Sequence, residues 1–68
     1  MGSQKQLGEN IKKIREKVGK TQEELSYLTD IHVSYLSRIE RGVVNPTFEI
    51  LEKIAKALKV KIADFSPS

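Results

Sequence analysis

The sequence predicts an all-α fold of four helices and a short fifth. Three observations carry that prediction. Apolar residues recur at helical spacing through nearly the whole chain, and strand-like alternation is nearly absent. Helix-capping residues stand at the ends of the periodic stretches. The 68 residues include no cysteine, and a small core without disulfide or metal staples points to helix-on-helix packing. Surface scaling gives a folded area of about 4,300 Å² against about 11,000 Å² unfolded, which supports one small core and one domain.

Leu7, Ile11, Ile14 and Val18 form one helical stripe, with Lys12, Lys13, Glu16 and Lys17 outside it. Gly19 ends this helix because glycine adopts the left-handed conformation without a Cβ clash. Thr21-Gln-Glu-Glu24 is a capping box: the Thr21 oxygen accepts from the Glu24 amide, and the Glu24 side chain reaches back to the Thr21 amide. A second helix therefore starts at Gln22, carries Leu25 and Leu28 inward, and stops near Thr29-Asp30, where Asp tolerates a tight turn. A third begins three or four residues later, with Leu36 and Ile39 inward and Gly42 as its stop. Pro46 restricts the residue before it, so Val43-Val-Asn-Pro46 is not helical throughout. Thr47 caps a fourth helix whose apolar face is Ile50, Leu51, Ile54, Ala55 and Leu58. Ile62 to Phe65 make one last apolar turn.

Composition excludes several classes of function. With no cysteine and a single histidine, His32, there is no Cys-type zinc finger, no thiol nucleophile and no self-contained metal site. No Gly-rich phosphate loop, nucleophile elbow, paired histidines or apolar carboxylate pair is present. The expectation is a non-enzyme with no cofactor and no small-molecule ligand. Apolar runs are too short to span a membrane. The N-terminus has no apolar signal segment, so a cytoplasmic location is expected.

The net charge is +3, and its distribution is uneven. Residues 1–20 carry six Lys/Arg and two Glu, residues 21–31 carry three acids and no base, and the remainder carries six bases and four acids. One basic end beside an acidic patch is compatible with a nucleic-acid partner, and a solvated helix surface gives similar counts.

Two short helices joined by a tight turn, the second with a polar outer face, form a helix-turn-helix pattern. Gln22 to Ser26 supply the first helix, Asp30-Ile31 the turn, and Val33 to Ile39 the second. Ser26 is small enough for close approach, and Ile31 plugs the elbow.

Here the chain resembles the Cro/repressor-type (Xre-like) helix-turn-helix regulators. The matching elements are Leu7-Gly-x-x-Ile-x-x-Ile-Arg15, Gly19-x-Thr-Gln-Glu-Glu-Leu25, Tyr35-Leu-Ser-Arg-Ile-Glu-Arg-Gly42, Asn45-Pro-Thr47 and Leu51-x-x-Ile-Ala-x-Ala-Leu58. They span Leu7 to Phe65, 59 of the 68 residues, in the family's order and spacing. The resemblance implies a lambda-repressor-like five-helix DNA-binding domain over 1–68, with its core in 7–65 and its helix-turn-helix in helices 2 and 3. Asp30 stands where the family's turn usually has Gly, and His32 where the recognition helix usually has a Ser or Thr cap. Some restriction-modification controller proteins are similar here, with a His at this point.

Roles follow from the resemblance, position by position. His32, Val33, Ser34, Ser37 and Arg38 match the family's base-edge positions, on a recognition helix of about 32–41. Gln22 matches its phosphate-clamping residue, and Asn45 the segment that approaches phosphate after that helix. The family's buried ion pair falls on Arg15 and Glu40.

The residues themselves leave alternatives. Arg38 suits a guanine O6/N7 fork, with phosphate as its competitor. Val33 meets a thymine methyl or is one of the scattered apolar residues any surface carries. His32 reads as a helix-cap substitute or a phosphate donor. Tyr35 packs at the core edge or bonds a phosphate, while Tyr27 packs or sits half-exposed. Lys17, Lys20 and Arg41 lie nearest the motif and read as phosphate contacts. Val60, Ile62 and Phe65 either close the core or supply a dimer interface.

The reading is a sequence-specific regulator, a repressor or autoregulator, that binds a palindromic double-stranded DNA operator as a homodimer. Its rival is an antitoxin-type protein-binding module that also binds DNA. Such a module is expected to carry an arm beyond the fold, and only Ser66-Pro-Ser68 follows Phe65.

Overall fold

A computed structural model describes residues 4–66. Four α-helices follow one another: α1 (Gln4–Val18), α2 (Gln22–Thr29), α3 (Val33–Arg41) and α4 (Phe48–Leu58). The expected fifth helix is a single 3-10 turn, Ile62–Phe65. Four residues are too few for an α-helix to repay its nucleation. None of the helices is long and apolar enough to cross a membrane, among the described residues.

Each boundary has a local cause. Thr21 accepts from the Glu24 amide at 3.0 Å, and its own amide donates to Glu24 Oε1 at 2.8 Å, closing the capping box of α2. Thr47 caps α4 with its side-chain oxygen alone, accepting from the Ile50 amide at 3.2 Å. Asp30 ends α2 at φ 60° and Lys59 ends α4 at φ 60°, two non-glycine residues in the left-handed region. Gly42 takes that conformation at the end of α3, where a Cβ would stand 2.5 Å from the Lys5 Cα.

Ile11, Leu25, Ile31, Leu36, Ile39, Ile54, Ala55, Leu58 and Phe65 form the core, so every element contributes. α1 lies against α3 at a distance only glycine permits: a Cβ on Gly8 would sit 2.2 Å from the Ile39 carbonyl oxygen.

Three sequence expectations are corrected by this packing. Val18 is 45% exposed because the apolar stripe of α1 overruns the core by its last turn. Leu28 is 51% exposed, and Thr29 is buried in its stead. α2 can turn Thr29 inward because the hydroxyl is satisfied, donating to the Leu25 carbonyl at 2.7 Å and accepting from the Ile31 amide at 3.2 Å. Phe65 is completely buried within the protomer, so it closes the core and is withdrawn from the dimer interface. The chain turns back after Lys59, and Asn10 Nδ2 donates to the Phe65 carbonyl at 2.9 Å, tying the last turn to α1. Val60 and Ile62 stay half-buried.

Candidate nucleic-acid interface

The helix-turn-helix is α2, the turn Asp30–Ile31–His32, and α3. Ile31 fills the elbow at 6% exposure. Asp30 occupies the turn conformation that glycine usually supplies, with its amide donating to the Ser26 carbonyl at 2.8 Å. His32 is the N-cap of α3: its Nδ1 accepts from the Ser34 amide at 3.1 Å and lies 2.9 Å from Ser34 Oγ. An imidazole nitrogen thus does the work of a Ser or Thr oxygen. Because Nδ1 accepts from the amide, the capping tautomer carries its proton on Nε2.

α3 buries Leu36, Ile39 and Glu40. At about 100° per residue, Val33, Ser37, Arg41, Ser34 and Arg38 fall on the opposite arc. Ser34, Arg38 and Arg41 are exposed, while Val33 and Ser37 are half-buried. The arc holds hydroxyls, guanidinium groups and one small apolar side chain, the mixture that reads base edges in a major groove. Tyr35 is half-buried at its margin, packed against the core. Tyr27 lies on α2 and is 88% exposed rather than packed.

The other residues expected at phosphates lie on α1, on α2 and in the loops beside the motif. Lys17 and Asn45 are exposed, and Lys20 is half-buried in the α1–α2 loop. Gln22, the first residue of α2, is half-buried, and its Nε2 donates to Glu40 Oε1 at 2.9 Å. The backbone amides of Gln22 and Glu23 have no intrahelical acceptor, as at any helix start.

Glu40 is the centre of a buried polar cluster. Arg15 Nε donates to its Oε2 at 2.6 Å and Arg15 Nη2 to its Oε1 at 3.1 Å, a two-pronged ion pair. Arg15 Nη1 donates to the Lys20 carbonyl at 2.6 Å. The hydrogen bond to Glu40 raises the Arg15 pKa against burial, which lowers it. The cluster joins the end of α1, the loop before α2, the start of α2 and the end of α3. Sequence reading paired Arg15 with Glu40 but did not attach Gln22, because eighteen residues separate Gln22 from Glu40 and no local pattern links them.

The acidic segment is also placed. Glu23, Glu24 and Asp30 are all exposed on α2 and its turn. The Thr21 backbone amide, followed by its hydroxyl and Lys20, holds the Glu24 carboxyl below its usual range. Among the described residues, no group of His, Asp and Glu is arranged to hold a metal ion.

Comparison with known proteins agrees with the helix-turn-helix fold. The sequence profile of the helix-turn-helix family matches residues 11–65. The chain is similar to the control protein C.BamHI of Bacillus amyloliquefaciens, 41% identical over 59 residues, covering 85% of this chain and 73% of that protein. Its fold is similar to the crystal structure of the restriction-modification controller protein C.AhdI of Aeromonas hydrophila. There the TM-score is 0.88 at 27% identity, over 91% of this chain and 94% of the other. The wild-type restriction-modification controller protein C.Esp1396I superposes with a TM-score of 0.82 at 40% identity, over 91% of this chain and 80% of the other.

Proposed function

The chain belongs to the helix-turn-helix (Xre-like) family of DNA-binding transcriptional regulators, and from that premise we propose that it binds a palindromic operator as a homodimer. α3 enters the major groove, with His32, Val33, Ser34, Ser37 and Arg38 toward base edges. Gln22, Lys17, Lys20, Tyr35, Arg41 and Asn45 flank it at phosphates. The observation that supports this reading best is the α3 arc. It exposes Ser34 and Arg38 on a helix whose cap and buried cluster fix its position.

Phosphate contacts supply affinity without sequence information, and the arc supplies the discrimination. One recognition helix reads few base pairs, so a two-fold dimer doubles the readout across half-sites about 34 Å apart. Val60 and Ile62 remain the interface candidates, on the surface beside α4. Control of a restriction-modification system is the narrower form of the reading, supported by the similarity to the controller proteins.

Selection of bound sites from a random duplex pool tests it. The expected outcome is an inverted-repeat consensus. Recovery of no enriched sequence refutes specific readout, and enrichment of a single half-site refutes the palindrome.

A further inference from the structure

At the start of α3 two groups converge on one ring nitrogen. His32 Nδ1 lies 3.1 Å from the Ser34 amide nitrogen and 2.9 Å from the Ser34 hydroxyl oxygen. In a neutral imidazole one nitrogen carries the proton and the other accepts, and the bond made by one fixes the role of the other. The amide only donates, so Nδ1 is the bare nitrogen and Nε2 the protonated one. That also gives the contact with Ser34 Oγ a direction: with no hydrogen on Nδ1, the hydroxyl is its donor. Neither His32 Nε2 nor Ser34 Oγ makes another hydrogen bond among the described residues. Both residues are exposed.

Serine ordinarily donates or accepts as its partner requires, because the hydroxyl hydrogen rotates. Here that hydrogen is committed to Nδ1, and only oxygen lone pairs remain to meet a ligand. His32 is left with the opposite character, an N–H that donates and cannot accept. Duplex DNA offers the two groups different partners. Phosphate and deoxyribose within a strand present oxygens and no donor, so an acceptor-only Ser34 has nothing to bond there. In the major groove the donors are the amino groups of adenine N6 and cytosine N4, and the acceptors are purine N7, guanine O6 and thymine O4.

We propose that His32 sets the hydrogen-bond polarity of the α3 readout: it holds Ser34 as an acceptor for the amino group of an adenine or a cytosine, and itself donates through Nε2 to an acceptor of the duplex. The inference rests on the reading of α3 as the recognition helix and names what two of its positions select. Ser34 is thereby a reader of bases and not of phosphate. Toward that base His32 is a positioning residue, acting through Ser34. A serine at position 32 would cap the helix without fixing this polarity, because its own hydroxyl can donate back to Ser34. An aspartate would cap and fix it, because a carboxylate only accepts.

Two measurements on the full chain test this. His32 is the single histidine, so nitrogen-15 NMR of the free protein in mildly alkaline buffer reads its tautomer directly; a bare Nδ1 and a protonated Nε2 are expected. In the complex, the base pair read by Ser34 is the one at which Ser34→Ala flattens the preference of the selected duplex. Deleting the amino group there, with purine for adenine or pyrimidin-2-one for cytosine, is expected to weaken wild-type binding about two- to tenfold per half-site and to leave Ser34→Ala unaffected. Each protein is scored by its ratio between intact and altered duplex, so a general loss of affinity cancels. His32→Asp is expected to keep the dependence on the amino group and His32→Ser to relax it. For the donor, 7-deazapurine at neighbouring pairs and methylphosphonate at neighbouring phosphates separate a base acceptor from a backbone one; the substitution that costs the wild type and spares His32→Asp identifies it.

A protonated Nδ1 overturns the proposal whatever the duplexes do. So does a Ser34→Ala that flattens no base pair or responds to amino deletion as the wild type does. Equal dependence on the amino group in His32→Ser and His32→Asp overturns the positioning role, and equal responses of wild type and His32→Asp to every acceptor removal overturn the donor. Any of these leaves an enriched site read through other residues, so the operator reading survives them. A protein that selects no sequence sinks the operator reading and the base contact together, with the NMR result unchanged.

Discussion

Removing one partner of the buried Arg15–Glu40 pair has a calculable consequence. Glu40 is 6% exposed and accepts two charged N–H bonds from Arg15. In Arg15→Leu it keeps only the neutral Gln22 amide as a donor. An uncompensated buried carboxylate of this kind costs about 3–5 kcal/mol. A domain of this length has a total stability of about 3–10 kcal/mol, so the variant sits at the edge of unfolding. Adding Glu40→Leu removes the stranded charge and restores apolar volume between α1 and α3. The double variant is expected to recover most of the loss, leaving the Lys20 carbonyl and the Gln22 amide to turn to water. The assay is urea denaturation followed by far-ultraviolet circular dichroism on the wild type, both single variants and the double. Strong non-additivity is the expected result. Single losses that simply add in the double variant refute the coupling.

Four other outcomes follow from particular contacts. Gly8→Ala pushes a Cβ into the Ile39 and Glu40 carbonyls, and is expected to lower stability by about 1–3 kcal/mol, read in the same urea titration. His32→Ala removes the cap of α3 and is expected to cost about 0.5–2 kcal/mol, with His32→Ser recovering most of it. Glu24 has a lowered folded pKa, so its capping contribution is fully present above the ordinary glutamate value of 4.5 and is lost as pH falls through the folded value; Glu24→Gln flattens that part of the stability–pH curve in thermal melts. Arg38→Ala is expected to cost about 1–3 kcal/mol per half-site and to flatten preference at one base pair, whereas Gln22→Ala weakens operator and random duplex alike. Titrations against both duplexes separate the two, and equal losses for Arg38→Ala make it an anchor rather than a reader.

The parts of this molecule that were legible in its sequence are those whose cause is local. Thr21, Thr47 and Gly42 bond within a few residues of themselves, so their signals survive without tertiary context. Asp30 and His32, the two departures from the family's usual pattern, were legible for the same reason. One tolerates the left-handed turn and the other offers a ring nitrogen to the first turn of α3. The rotation of α2 was not legible. An eight-residue helix with Leu25 and Leu28 fits a core by either of two neighbouring faces, and hydrophobicity favours the one that buries both leucines. Packing chose Leu25 and Thr29, and the choice carries little polar penalty because a helical threonine can donate to the carbonyl one turn back. Phe65 was ambiguous for a longer-range reason. Its apolar character suits a core or an interface equally, and only the reversal at Lys59 and the bond from Asn10 direct it inward.

The buried cluster ties α2 and α3 to each other and to the end of α1. α3 carries the residues proposed to read bases, and Gln22, at the start of α2, is proposed to hold a phosphate. A purely apolar contact between these elements would permit small slides, because dispersion has little directional preference. Arg15 instead fastens three separate stretches of chain: Nε and Nη2 hold the end of α3 through Glu40, and Nη1 holds the loop before α2 at the Lys20 carbonyl. Glu40 in turn holds the Gln22 side chain. The spacing between α3 and Gln22 is therefore tied to hydrogen bonds through one guanidinium and one carboxylate. Lysine at position 15 would supply the charge without the planar fork that spans both partners. Glutamate at position 22 would face Glu40 with a like charge and lose the donor. The geometry thus requires arginine, glutamate and glutamine at these three positions together, although only the first two announce themselves in the sequence.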